Sequence, residues 1–173
     1  AGLDADAELV VIELPASPAA VRSVPDPDRP GRQRVVMLDP EGEQLLVLAG
    51  KSGHIEVVAV GLPFEALDVS PDGRYGLAYQ PHDRGPSRSL FAFPNAVAVI
   101  DFLARPLTAK TLRLPSAGAR PRAAAFAHSA ELEEVVLISG TPTLVRAEVP
   151  VALVFVAGGL VPIDLANVTT GPA

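Results

Sequence analysis

Apolar stretches in this sequence are cut every few residues by proline or glycine: 18 Pro and 14 Gly are spread through 173 residues. Proline breaks helix interiors and is confined in sheets to edges, strand starts and bulges. The segments between the cuts are therefore short, and short apolar segments bounded by turns read as strands. The hydrophobic fraction of 49% is ample for a core, so the expectation is an all-β chain. Strand-like stretches occur at residues 8–14, 34–38, 44–49, 54–60, 66–69, 75–80, 95–102, 111–114, 122–127, 134–139, 145–149, 152–157 and 160–165. The junctions between them include Asp39-Pro40-Glu41-Gly42, Lys51-Ser52-Gly53, Ser70-Pro71-Asp72-Gly73 and Gly158-Gly159. Such residues preset φ near -65° or tolerate positive φ. Residues 129–134 contain helix formers but are too few to stand alone as a helix, and a loop is expected there. Residues 17–33, with Pro18, Pro25, Pro27 and Pro30, are expected as an exposed loop of polyproline character.

The formal charge of -6 gives no basic footprint for a phosphate backbone, which argues against nucleic acid as a partner. Cysteine is absent, which removes disulfides, thiolate nucleophiles and cysteine metal sites. The longest apolar run, residues 149–163, is broken by Pro150, Gly158, Gly159 and Pro162. It is shorter than the roughly 20 residues of a membrane-spanning helix, so the expectation is two strands and no membrane span. The first residue is Ala1 rather than Met, so an export signal would already be missing.

One phrase recurs: a Pro-Asp-Gly-like turn, an apolar strand, a variable hairpin and a strand ending in an acidic residue. Its turn stands at Asp39-Pro40-Glu41-Gly42 and again at Ser70-Pro71-Asp72-Gly73, with a degenerate copy at residues 126–138 that lacks the Pro and Gly. The closing strands are residues 9–13, 54–60, 97–101 and 160–164, about 40 to 60 residues apart, the span of a four-stranded propeller blade with insertions. The Ser70-Pro71-Asp72-Gly73-Arg74 turn, the Val99-Ile100-Asp101 strand end and the stretch from Val156 to Gly171 resemble the bacterial YVTN-type β-propeller repeat. No Tyr-Val-Thr-Asn quartet occurs, and Pro162 lies inside a strand that should pair. The resemblance implies blades at about residues 15–60, 61–101 and 102–165, with 8–14 closing a preceding blade. Three blades do not close a ring. The chain is thus expected to be a segment of a larger propeller, completed by further sequence or by another chain that covers its unpaired strand edges.

Candidate chemistry is sparse. His54, His82 and His128 fall in three different repeats without the close spacing of local metal ligands. Asp39, Asp68, Asp72, Asp101 and Asp164 form no calcium-loop pattern, and Asp72 and Asp101 stand where the repeat uses a carboxylate to accept turn amides. Glu131, Glu133 and Glu134 read as a solvated turn. No Gly-x-Ser-x-Gly elbow or phosphate-cradling glycine loop is present. The sequon Asn167-Val168-Thr169 coincides with the repeat phrase. No catalytic, cofactor-binding or metal residue is therefore assigned, and no cofactor is expected. The candidate partner-binding loop is the polar insertion in the second repeat that carries His82, Asp83, Arg84 and Arg88, with the proline-rich loop near Pro25 beside it. The resemblance implies a non-enzymatic scaffold that presents loops for protein or cell-envelope contacts outside the cytoplasm. The competing readings are part of a propeller enzyme, lactonase or quinoprotein-like, with a central-channel site, and a structural subunit of a surface assembly.

Overall fold

The computed structural model describes residues 13–14, 17–26, 29–49, 54–81, 95–115, 120–138 and 141–170. These residues form three antiparallel sheets, none closed into a barrel. The first consists of β1 (Ala20–Pro25), β2 (Gln33–Asp39), β3 (Gln44–Ala49) and β4 (Ile55–Ala59), paired in chain order. The second repeats that meander with β5 (Ala66–Val69), β6 (Tyr75–Tyr79), β7 (Ala96–Asp101) and β8 (Thr108–Arg113). The third has β9 (Pro121–Ile138), β10 (Thr141–Val156) and β11 (Gly159–Asp164), followed by the helix α1 (Leu165–Thr170). The second sheet thus takes in β8, which lies past residue 101. Among the described residues no helix is long and apolar enough to cross a membrane.

The second sheet lies between the other two, and its strands show it. Side chains alternate across a strand. Leu67, Ala78, Ala98 and Ile100 enter one apolar cluster with Val36, Leu38, Leu45, Val47 and Val58 of the first sheet. Leu77, Val97 and Val99 enter a second cluster with Ala152, Val154 and Ile163 of the third. Every residue of β6 and β7 is buried. A strand covered on both faces has no solvent side to mark with polar residues, which is why β7 reads Ala-Val-Ala-Val-Ile-Asp without alternation. The sheets stack like strand on like strand: β1 lies against β5, β5 against β9, and β4 against β8.

Four sequence expectations change. Residues 20–25 are not loop but the edge strand β1, paired from Ala20↔Leu38 to Pro25↔Gln33. Ala20 and Val24 supply its buried face, and Pro25 ends an edge strand, where a missing N–H is tolerated. Residues 129–134 run inside β9, because pairing with β10 from Ala130↔Val149 to Ile138↔Thr141 overrides the helix preference of Ala and Glu. The four strands expected at residues 122–127, 134–139, 145–149 and 152–157 merge into β9 and β10, with a bulge where His128 and Ser129 oppose Pro150. A short helix not expected from the sequence forms at α1, where Asp164 Oδ1 accepts the Asn167 N–H at 3.1 Å in an N-cap arrangement. The strand expected at 8–14 falls outside the described residues except for Glu13 and Leu14, which have no regular structure. Pro162 pairs with Leu153 on β11, an edge strand.

The faces turned away from the second sheet differ between the first sheet and the third. On the first sheet the row Val21–Met37–Leu46–Val57 faces away from the second, with Met37 and Leu46 buried and Val57 56% exposed. On the third sheet the rows Ala123–Phe155–Leu160 and Ala125–Leu153–Pro162 face away, with Phe155 42% and Leu160 45% exposed.

The turn at 70–73 ties the first two sheets together. Gly73 has φ +72°, and a Cβ there would stand 2.8 Å from the Pro25 carbonyl oxygen. Gly61 has φ +73° with nothing near its Cβ position. Gly61→Ala therefore reports backbone strain alone, at about 1–3 kcal/mol, and Gly73→Ala is expected to cost more. The difference between their urea midpoints measures the contact with β1. Equal losses would show that Gly73 serves the turn only. Phe102, fully buried between the sheets, is expected to cost about 3–5 kcal/mol on truncation to Ala, read by urea unfolding.

Candidate functional site

Two cavities meet at the Ser70–Gly73 turn, sharing Ser70, Pro71 and Phe126. The first, about 340 Å³, lies on the side where β1, β5 and β9 line up, and it is bordered by Arg22, Ser23, Pro25 and Asp68. The second, about 360 Å³, lies between the turn and the bulge of the third sheet, and its walls include Asp72, Tyr75, Ala127, Pro150 and Leu165.

The turn builds both from a small set of hydrogen bonds. The Ser70 hydroxyl donates to Asp72 Oδ1 at 2.6 Å and accepts the Tyr75 N–H at 2.8 Å. Asp72 Oδ1 also accepts the Arg74 N–H at 3.1 Å, and the Gly73 N–H reaches the Ser70 carbonyl at 2.8 Å. Ser70 and Asp72 are thus occupied in shaping the turn. In the first cavity Asp68 is similarly engaged. Its Oδ2 accepts the Tyr79 hydroxyl at 2.7 Å and the Ala124 N–H at 3.3 Å, so the carboxylate bridges the second and third sheets. The Arg22 guanidinium donates to the neighbouring Val21 carbonyl.

Tyr75 is different. Its side chain is buried in the apolar layer between the second and third sheets, with the Arg74 guanidinium 4.8 Å above the ring centroid. The hydroxyl is buried and has no hydrogen-bond partner among the described residues. A neutral donor in that state costs about 1–3 kcal/mol. Burial pushes the phenol above its ordinary value, Arg74 pulls it down, and Asp101, Asp72 and Asp164 push it up further. The group is therefore a protonated donor throughout the neutral range.

The remaining sequence candidates sort as follows. Asp39 Oδ1 accepts the Glu41 and Gly42 amides, and its Oδ2 accepts Gln44 Nε2. Asp101 Oδ1 accepts the Leu103 amide at 2.9 Å, with Arg74 3.9 Å from its other oxygen. These carboxylates, like Asp72, hold turns. Glu131, Glu133 and Glu134 stand in β9 rather than in a turn, at register positions opposite Glu148, Arg146 and Val145. His54 is exposed just ahead of β4, and His128 belongs to the β9 bulge. Among the described residues no group of three or more His, Asp or Glu is placed to hold a metal ion. The insertion with His82, Asp83, Arg84 and Arg88 lies outside the described residues. At its root Gln80 is buried, and neither side-chain amide atom has a hydrogen-bond partner among the described residues. Pro25, expected beside a binding loop, lies on the wall of the first cavity. Tyr75 and the second cavity went unnoticed in the sequence: a tyrosine in a buried strand looks like any core aromatic until the neighbouring sheet is in place.

No protein-family model, curated protein or solved structure matches the chain.

Proposed function

We propose that the three sheets are consecutive blades of a β-propeller and that the chain is a non-enzymatic scaffold, part of a larger ring that presents loops for protein or cell-envelope contacts. The observation that carries this reading is the stacking. Each sheet is an antiparallel meander, and first strand lies on first strand through β1, β5 and β9 while β4 lies on β8. That is the relation between neighbouring blades around an axis. The outward rows of the third sheet, Ala123–Phe155–Leu160 and Ala125–Leu153–Pro162, hold no charged residue, whereas a sheet face meant for water alternates polar residues outward. An apolar face of this kind is an interaction surface, and a further blade, from additional sequence or from another chain, is its natural cover. The insertion after Pro81, with His82, Asp83, Arg84 and Arg88, is the loop we assign to partner contact. The turn carboxylates Asp39, Asp72 and Asp101 are all engaged in local hydrogen bonds, which favours a scaffold over a catalyst.

The test is association of the chain in solution, measured by light scattering on a size-exclusion column. The chain is expected to self-associate through its uncovered face. Replacing Phe155 and Leu160 together by Asp is expected to return it to monomer mass while leaving the urea midpoint close to the parent value, because exposed positions have small effects on stability. Deleting residues 82–89 is expected to change neither property, since that loop serves other molecules. A parent chain that stays monomeric at all concentrations, with the double variant indistinguishable from it, would overturn the reading. So would loss of folding on deleting the loop.

A further inference from the structure

The cavity where β1, β5 and β9 line up carries two opposite charges on its wall, and the scaffold reading uses neither. Arg22 and Asp68 both border its space of about 340 Å³, yet they form no ion pair with each other. The strand faces explain why. Arg22 shares a face of β1 with Ala20 and Val24, which pack into the cluster between the first and second sheets. Asp68 shares a face of β5 with Ala66, which packs into the cluster between the second and third. The two charges therefore flank β5 from opposite sides. Arg22 is exposed, and among the described residues its guanidinium makes one hydrogen bond, to the neighbouring Val21 carbonyl. The Asp68 carboxylate stands at the wall, because it accepts the N–H of Ala124, another wall residue. Both of its hydrogen bonds fall on Oδ2, and Oδ1 is neither bonded nor buried. Between the charges runs the open edge of β5, the first strand of its sheet. Ser70 donates its N–H to Tyr75 at 2.8 Å, back toward β6. Successive residues of a strand turn their backbone groups to opposite sides, so Val69, also on the wall, presents its N–H and C=O to the open edge.

We propose that this cavity binds a dipeptide with free termini, its carboxylate on Arg22, its ammonium on Asp68 Oδ1 and its peptide group against the Val69 backbone. A simple anion would find Arg22 but face Asp68, and a simple cation would meet the reverse. A molecule bearing both charges satisfies both. Those charges have to be well separated, because Arg22 and Asp68 stand on either side of β5. An extended dipeptide reaches about 7 Å, whereas a lone α-amino acid carries both charged groups on one carbon. Val69 offers one donor and one acceptor, which a peptide bond complements. Pro25, Pro71 and Phe126 complete the wall and suit small apolar side chains. The volume is that of a small-molecule site. This inference does not rest on the scaffold reading, since every group it uses belongs to this chain, and the association experiment above does not bear on it.

The test uses three probes: L-alanyl-L-alanine, its N-acetyl derivative, which lacks the ammonium, and its C-terminal amide, which lacks the carboxylate. Binding is read by saturation transfer to the alanine methyl protons, a measurement that works whether or not the chain associates. The free dipeptide is expected to bind saturably, and each blocked form about fivefold more weakly, the effect of one solvent-exposed ion pair. Arg22→Gln is expected to weaken the free dipeptide about fivefold and to leave the amide at its parental affinity, because the amide has no carboxylate to lose. Arg22 is exposed and bonds only its own neighbour, so this variant keeps the fold. Asp68→Asn is expected to do the converse, weakening the free dipeptide and sparing the N-acetyl form. Unchanged binding of that form also shows that the variant is folded, which matters because Asp68 holds Tyr79 and Ala124. The proposal is overturned if the free dipeptide shows no saturable binding or if both blocked forms bind as tightly as the free one. It is also overturned if Arg22→Gln weakens all three probes alike or none of them.

Discussion

Burial of the second sheet on both faces is the constraint from which the rest of the structure follows. A lone four-stranded sheet with one apolar face needs only one neighbour. The β6–β7 pair is apolar on both sides, with Leu77, Val97 and Val99 on one and Ala78, Ala98 and Ile100 on the other. Exposing either side would forfeit about 1.5–3 kcal/mol for each large side chain returned to water. The first and third sheets are thus required, and they can pack only as layers. The short connections between sheets, which link β4 to β5 and β8 to β9, carry the chain from the last strand of one layer to the first strand of the next. Like strands then come to lie on like strands.

The Ser70–Gly73 turn is where this layering becomes specific. Packing of apolar faces is non-directional, so something must fix how one sheet sits on the next. Gly73 presses against the end of β1 with no room for a Cβ. Arg34 of β2, itself buried, reaches the Gly73 and Phe102 carbonyls at 3.4 Å and stacks 4.9 Å over the Phe102 ring. At the same boundary Thr111 of β8 donates to the Val60 carbonyl at 2.8 Å, and on the other side Asp68 receives the Ala124 amide of β9. These polar contacts at layer boundaries give orientation to an otherwise slippery stack, and the Asp68–Ala124 pair also borders the first cavity.

What could be read from the sequence was local. The turns at 39–42 and 70–73 announce themselves through Pro and Gly, and their Asp residues accept the expected amides. The continuous apolar run of β7 likewise signals a strand covered on both faces. What could not be read depended on partners distant in the chain. The β1 segment looks like a proline-rich loop because only Ala20 and Val24 face the core, and its strand form comes from pairing with β2. The β9 segment carries Ala and Glu with no strand preference of their own, and takes strand form from the register of β10. The candidate loop at 82–88 was legible as an insertion but carries no chemistry in its pattern. Tyr75 was invisible as a site because its environment is made by a sheet that begins more than forty residues later.

The same logic separates the ends of the stack from its interior. Inside, each apolar row has met its counterpart: Leu77, Val97 and Val99 pack with Ala152, Val154 and Ile163. The rows Ala123–Phe155–Leu160 and Ala125–Leu153–Pro162 on the far side of the third sheet are also apolar, yet Phe155 and Leu160 are still open to solvent. Composition of that kind is what strands acquire when they are to be covered, and it is costly to leave in water. In the ring proposed above, the third sheet is therefore an interior layer with a further surface lying against it.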